Sequence, residues 1–169
     1  MAISIVDYEL PYETHNEYDV SFHGDRIHTL VTHSSSIVDS WLAQTNLQSR
    51  IVGLDVEWRP QLQPFDRKPS GHAAALRIGS DVEKLLLDYG LHVANAVDLA
   101  VFAANRFGSS ELRNAGLKGL ARQMLGKEVQ KPNRITMSRW DNQWLTCDQV
   151  QYACVDAFLS FEIGRHLNV

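Results

Sequence analysis

IVGLDVEW, residues 51–58, places two carboxylates, Asp55 and Glu57, in an apolar and β-branched run. This composition predicts a buried strand, and strand side chains at positions i and i+2 point to the same face. We therefore expect Asp55 and Glu57 to converge at the end of a core strand. Two such carboxylates repel each other and are costly to bury unless a cation lies between them.

Oxygen ligands of this kind suit Mg²⁺ or Mn²⁺, so the pair predicts a site for a divalent metal. A structural alternative stays open, in which Glu57 turns to solvent at the strand end and Asp55 caps neighbouring backbone. The Asp-x-Glu pattern alone does not choose between the two interpretations.

A predicted long C-terminal helix, capped by Thr146, brings a second pair of polar residues together. Tyr152 and Asp156 are four apart, which places them on one helical face. An aspartate inside the apolar run 152–159 is unusual and is expected to lie at least partly toward the core. Taken alone, it fits a structural aspartate that hydrogen-bonds nearby backbone, beside a packed Tyr152 ring, at least as well as a functional residue. Asp81 opens another predicted helix, where acidic residues also stabilise the N-terminus without any catalytic role.

Length and composition limit the classes of protein that fit. The 169 residues, 44% hydrophobic and 21% charged, suit one globular domain, and the net charge of −4 provides no general basic field for nucleic acid. The two cysteines predict neither a zinc cluster nor a disulfide framework. Residues 1–13 lack the features of a signal peptide, and no stretch has transmembrane length. We expect a soluble, intracellular α/β protein with no membrane association.

The sequence shows no evident linker, so we expect a single domain spanning residues 1–169. Within it we distinguish an N-terminal hairpin and helix, residues 18–48, from a catalytic core, residues 51–169. Residues 18–22 and 27–32 alternate in polarity on either side of a polar turn, which predicts a hairpin. Further predictions are a helix after the serines at 34–36, a helix capped by Ser80, a short strand at 93–99, and Asp98 as a helix N-cap.

Taken together and in this order, the acidic motifs resemble those of the DnaQ-like 3′–5′ exonucleases. The match is to the subgroup with tyrosine in the last motif, known as DEDDy. Residues 117–127 and 138–157 are similar to the corresponding segments of Werner-syndrome-type exonucleases. The hairpin and the C-terminal half resemble still more closely the plant RISC-interacting clearing exoribonucleases.

This resemblance implies a ribonuclease H-like fold, a mixed sheet flanked by helices, and two-metal hydrolysis of phosphodiester bonds with Mg²⁺ or Mn²⁺. It implies that Asp55 bridges both ions, that Glu57 and Asp156 complete the site of the attacking water, and that Asp81 supports the second ion. Tyr152 would orient the water through its hydroxyl.

The expected substrate is single-stranded nucleic acid. The preference for RNA rests on the plant resemblance alone, as do a ring-shaped, hexameric homo-oligomer, an Argonaute-containing partner complex and a role in clearing small-RNA-guided cleavage products. A cytoplasmic location, with the nucleus as a second possibility, is expected. Residues suggested for nucleic-acid contact are Lys84, Lys118, Arg122, Arg139 and, by stacking, Trp58.

One departure from the family is an interval of only 23 residues between Glu57 and Asp81. In the family this interval holds two further strands and a helix, so the fold is expected to be shortened between the first two motifs. A true deletion predicts a depleted sheet, whereas omitted residues predict a chain break between Ala73 and Asp81. The alternatives to an active exonuclease are a catalytically impaired nucleic-acid- or protein-binding isoform and another metal phosphohydrolase.

Overall fold

A computed structural model describes residues 3–44, 51–57 and 78–169. Its N-terminal part is a sheet of three antiparallel strands in the order β1-β2-β3. The strands are β1 (Ser4–Asp7), β2 (His15–Phe22) and β3 (Asp25–Thr32). The helices follow in the second part of the chain, so the described residues form an α/β protein, as predicted.

The predicted hairpin is confirmed as β2 and β3, which begin somewhat earlier than expected. His23 and Gly24 connect the strands, and both have positive φ, 50° and 94°. Two positive φ values are what a tight two-residue hairpin turn requires, and glycine adopts them without strain. This turn sets the register in which Phe22 pairs with Asp25. The additional strand β1 was not predicted.

Six helices follow the sheet in the described residues, with a short 3₁₀ turn at Leu112–Asn114 and a π-helical turn at Ala121–Leu125. The helices are α1 (Ser35–Gln44), α2 (Ile78–Tyr89), α3 (Leu99–Phe107), α4 (Leu117–Leu120), α5 (Asn133–Thr136) and α6 (Cys147–Leu167). Asp98 caps α3 by accepting a hydrogen bond from the amide of Val101 at 3.0 Å, which confirms its predicted role.

The core lies where α6 packs across the sheet and against α3 and α4. Large side chains from both sides are fully buried there: Val20, Phe22, Leu159, Ile163 and Leu167. Burial of such side chains supplies about 1.5–3 kcal/mol each relative to exposure. The sheet and α6 therefore form the rigid support for everything that α6 carries.

Several predictions of secondary structure are wrong. Residues 51–57 and 93–98 pair with no strand among the described residues, and the described sheet is purely antiparallel rather than mixed. Ser80 does not cap its helix, because α2 already begins at Ile78. The proline-rich stretch after Glu57, the expected chain break after Ala73 and the stacking residue Trp58 lie outside the described residues.

In the parts of the chain that the structure describes, no helix combines the length and apolar character that a membrane crossing requires.

Candidate active site

Helix α6 presents Tyr152 and Asp156 on its inward face. Its start is set by a capping box, in which Thr146 Oγ1 accepts from the Gln149 amide at 3.3 Å and Gln149 Oε1 accepts from the Thr146 amide at 3.0 Å. This reciprocal pairing satisfies two amides that the first turn of a helix leaves free. Asp156 is 1% exposed, so its carboxylate is held in the protein interior.

The segment 51–57 reaches Asp156 by lying directly on α6. A Cβ atom added at Gly53 would come within 2.2 Å of the Ala157 carbonyl oxygen and 2.6 Å of the Phe161 amide nitrogen. Only glycine allows this approach of backbone to backbone. Ile51 contacts α6 further along, close to Gly164, so the segment runs antiparallel to the helix and delivers Asp55 beside Asp156.

Three carboxylates meet at this point. Asp55, Glu57 and Asp156 each offer an oxygen atom, and these oxygens all lie within 4.8 Å of one another. Asp55 Oδ2 is buried and has no hydrogen-bond partner among the described residues. A buried anionic oxygen without a donor is strongly unfavourable. A divalent cation bound by carboxylate oxygens would satisfy it, so the residues present fit such an ion.

Burial and mutual repulsion favour the protonated forms of these acids. Burial, reinforced by the charge of Asp156, raises the pKa of Asp55 to about 6, although the ammonium of Lys131 opposes the shift. Burial and the charge of Asp55 raise the pKa of Glu57 to about 8, again against Lys131. The cluster therefore holds more negative charge than its surroundings stabilise, and a bound cation would release protons from it.

Tyr152 stands beside the cluster as a neutral phenol. Burial, followed by the charges of Asp156 and Glu57, raises the pKa of its hydroxyl above its ordinary value. Its ring lies 5.9 Å from that of Trp140, centroid to centroid, which restricts the orientation of the phenol. At neutral pH the Tyr152 hydroxyl consequently keeps its proton and can donate a hydrogen bond.

Asp81, the fourth predicted acid, lies apart from the three-carboxylate group. It is buried in the first turn of α2, and burial raises its pKa while Lys84 opposes the shift. Its charge raises the pKa of Asp55, and both residues line a cavity of about 550 Å³. The structure thus brings Asp81 to the same cavity as Asp55, at longer range than Glu57 and Asp156.

Lys131 is the site residue that the sequence did not reveal. Its ammonium donates to Asp156 Oδ2 at 2.5 Å, although 25 residues separate the two in the chain. In the sequence, Lys131 is followed by Pro132, and a following proline does not indicate a functional role. By contrast, two of the suggested phosphate contacts lie in exposed ion pairs, Arg122 with Glu128 and Arg139 with Asp141.

The chain belongs to a family described as 3′-5′ exonuclease, whose model matches residues 18–169. A protein of Arabidopsis thaliana named 3′-5′ exonuclease is 35% identical over 151 residues, covering 69% of this chain and 52% of the relative. The mouse bifunctional 3′-5′ exonuclease/ATP-dependent helicase WRN is 24% identical over 199 residues, covering 97% of this chain and 14% of the relative. This chain therefore spans about half of the plant relative and a small part of the mouse one.

Among solved structures, the EXD2 exonuclease domain soaked in Mn and Mg is 36% identical. The match covers 53% of this chain and 45% of that chain, with a TM-score of 0.31. Membership of the family therefore follows from the sequence match and not from this superposition.

Proposed function

We propose that this chain is a metal-dependent 3′–5′ exonuclease that removes nucleotides from single-stranded nucleic acid. The proposal rests on one observation: oxygens of Asp55, Glu57 and Asp156 lie within 4.8 Å of one another. Tyr152 lies beside them, on the same face of α6 as Asp156. Membership of a 3′-5′ exonuclease family supports the direction of attack. The carboxylate oxygens support a divalent ion, Mg²⁺ or Mn²⁺, as the cofactor.

In this proposal the acidic residues bind the metal, and Tyr152 orients the water. Asp55, Glu57 and Asp156 would hold one ion, and Asp81, which lines a cavity together with Asp55, would support a second ion. When bound, the metal supplies Lewis-acid activation of water and stabilises charge on the leaving oxygen. Tyr152 orients the attacking water through its hydroxyl. It does not remove the proton, because its raised pKa keeps the phenol protonated at neutral pH.

A direct test uses RNA and DNA single strands carrying a label at the 5′ end, with Mg²⁺, Mn²⁺ or EDTA. Metal-dependent shortening from the 3′ end is the expected result, and Asp156→Asn is the inactive control. Products that begin at the 5′ end, or no product with either metal, would contradict the proposal. The same assay compares RNA with DNA directly.

We further propose RNA as the preferred substrate, a homo-oligomer with the hexameric ring as its form, and association with an Argonaute-containing complex. These proposals rest on the resemblance of the hairpin and the C-terminal half to the plant clearing exoribonucleases. A cytoplasmic location, with the nucleus as a second site, belongs to the same proposal. Light scattering of the purified chain tests the oligomer, since a monomer at micromolar concentration would contradict it.

A second candidate function is a catalytically impaired binding isoform of the same ribonuclease H-like family. The observation that favours it is that residues 51–57 pair with no strand among the described residues. The WRN alignment extends over 199 positions, more than the 169 residues of this chain. This difference supports a chain that is shorter than the matching part of WRN. Binding of single-stranded RNA without shortening, in the presence of Mn²⁺, would favour this candidate over the active enzyme.

A further inference from the structure

Lys131 forms an ion pair that is shielded from water. Its side chain is 18% exposed and that of Asp156 is 2% exposed, with 2.5 Å between Nζ and Oδ2. Ion pairs on a protein surface contribute little, because water and salt screen them. A charge-assisted hydrogen bond in a dry site is stronger, so this pair holds the Asp156 carboxylate firmly.

The ammonium of Lys131 acts on the whole carboxylate cluster and not on Asp156 alone. Its positive charge opposes the rise in pKa of both Asp55 and Glu57. It also lies 5.3 Å from the ring centroid of Tyr152, within the range of a cation–π contact. The Lys131 ammonium therefore interacts electrostatically with the three acids and with the tyrosine on which the proposed chemistry depends.

A lysine in this position and a divalent metal ion require the same carboxylate. Asp156 Oδ2 accepts a hydrogen bond from the Lys131 ammonium, and Asp156 belongs to the group whose oxygens would bind the ion. Two cations drawn to one cluster also repel each other, and the repulsion is strong where little water screens it. Neither of the other two acids has a lysine or arginine partner among the ion pairs of the described residues.

We propose that Lys131 is an internal counter-cation of the carboxylate cluster, and that it sets metal affinity by competing with the divalent ion for Asp156. The proposal rests on the metal site of the proposed function and not on its substrate. In the absence of metal, Lys131 stabilises a cluster that would otherwise be a buried excess of negative charge. Binding of the ion requires the ammonium to withdraw from Asp156, which weakens the apparent affinity.

Lys127 provides a matched control four residues earlier. Its side chain is 19% exposed, and its ammonium donates to Asp25 Oδ2 at 2.6 Å. It also lies 5.2 Å from the ring centroid of Phe158. Lys127 therefore has a similar exposure, a carboxylate partner and an aromatic neighbour, but no contact with the metal-binding group. Removing it tests the loss of a half-buried lysine without changing the cluster.

The experiment is a calorimetric titration of Mn²⁺ into the full chain stripped with EDTA, for wild type, Lys131→Met and Lys127→Met. We expect Lys131→Met to bind Mn²⁺ more tightly by roughly tenfold or more, equivalent to about 1.4 kcal/mol of removed competition. Its unfolding temperature should fall in EDTA, and the increase produced by Mn²⁺ should be larger than in wild type. Lys127→Met should bind Mn²⁺ with wild-type affinity.

Unchanged or weaker Mn²⁺ binding by Lys131→Met would overturn the proposal. So would an equal gain in Lys127→Met. If the methionine variant does not fold in EDTA, Lys131→Gln is titrated with the same expectation. Wild type that binds no Mn²⁺ would overturn the metal site and this proposal together. Tighter binding by Lys131→Met in a chain without nuclease activity would support the role of Lys131 and contradict only the proposed activity.

Discussion

Gly53→Ala should separate the segment 51–57 from α6. The new Cβ would lie 2.2 Å from the Ala157 carbonyl oxygen and 2.6 Å from the Phe161 amide nitrogen, roughly 1 Å or more inside van der Waals contact. Both of these are backbone atoms of a long helix, so neither can move aside as a flexible side chain would. The segment itself must therefore retreat from α6, and Asp55, two residues further on, must retreat with it.

The expected loss is about 3 kcal/mol of unfolding free energy, the upper part of the range for overpacking a well-packed contact. For a chain of this size that corresponds to a decrease of roughly 10 °C in unfolding temperature. Thermal unfolding in EDTA measures this decrease. Mn²⁺ titration measures the second consequence, a weaker affinity caused by the displacement of Asp55 from Asp156.

Gly79→Ala is the control, because Gly79 lies in α2 and a Cβ there would meet no atom within 4 Å. It should leave Mn²⁺ affinity unchanged and stabilise the helix by up to about 1 kcal/mol. If Gly53→Ala unfolded at the wild-type temperature and bound Mn²⁺ equally well, the packing of residues 51–57 on α6 would be refuted.

Four further predictions follow from the same geometry. Asp156→Asn should abolish nuclease activity in the labelled-strand assay, and Tyr152→Phe should lower the rate while calorimetry shows unchanged Mn²⁺ affinity, because the phenol is not a ligand. Asp98→Ala should lose about 1 kcal/mol of stability in denaturant unfolding, as a missing cap of α3, with activity retained. In EDTA, the unfolding temperature should fall between about pH 4 and pH 8, since Asp55 and Glu57 have raised pKa values, about 6 and about 8, in the folded chain.

The sign of the pH dependence follows from proton binding. In this window the folded chain retains protons on acids that the unfolded chain has already released, so each step to higher pH favours unfolding. Saturating Mn²⁺ should remove the dependence, because bound metal replaces those protons. Stability in EDTA that rises across the window would contradict the burial of the cluster. An active Asp156→Asn, an inactive Asp98→Ala or a Tyr152→Phe that no longer binds Mn²⁺ would contradict the assigned roles.

Local signals predicted the parts of the fold that depend on neighbours in sequence. The polar turn at residues 23–26 predicted the hairpin, and Thr146 as an N-cap predicted the start of α6, because both features depend on hydrogen bonds between residues close in the chain. The helix that Asp98 caps was predicted for the same reason. These features need no information from distant residues.

Residues 51–57 and Lys131 show why the remainder could not be predicted. An apolar, β-branched run favours a strand, but a strand forms only where another strand offers its amides and carbonyls. Among the described residues, this segment meets a helix. Lys131 reaches Asp156 through a contact between segments that are far apart in the chain, and no spacing rule covers such a contact. The structure brings three of the four candidate acids together, Asp55, Glu57 and Asp156, whereas the sequence did not predict the lysine that pairs with Asp156.

The contact at Gly53 also changes how the position of Asp55 is determined. In a sheet, a carboxylate at a strand end is held by hydrogen bonds to the neighbouring strands, and many residues share the task. In the described residues, Asp55 is held by the close approach of its segment to α6, which depends on the missing side chain of Gly53. Asp55 is thus held against the helix that carries Asp156, and Glu57 follows two residues later in the same segment. Within the described residues, two local features contribute to the geometry of the cluster: the capping box at the start of α6 and the glycine that lets residues 51–57 lie on this helix.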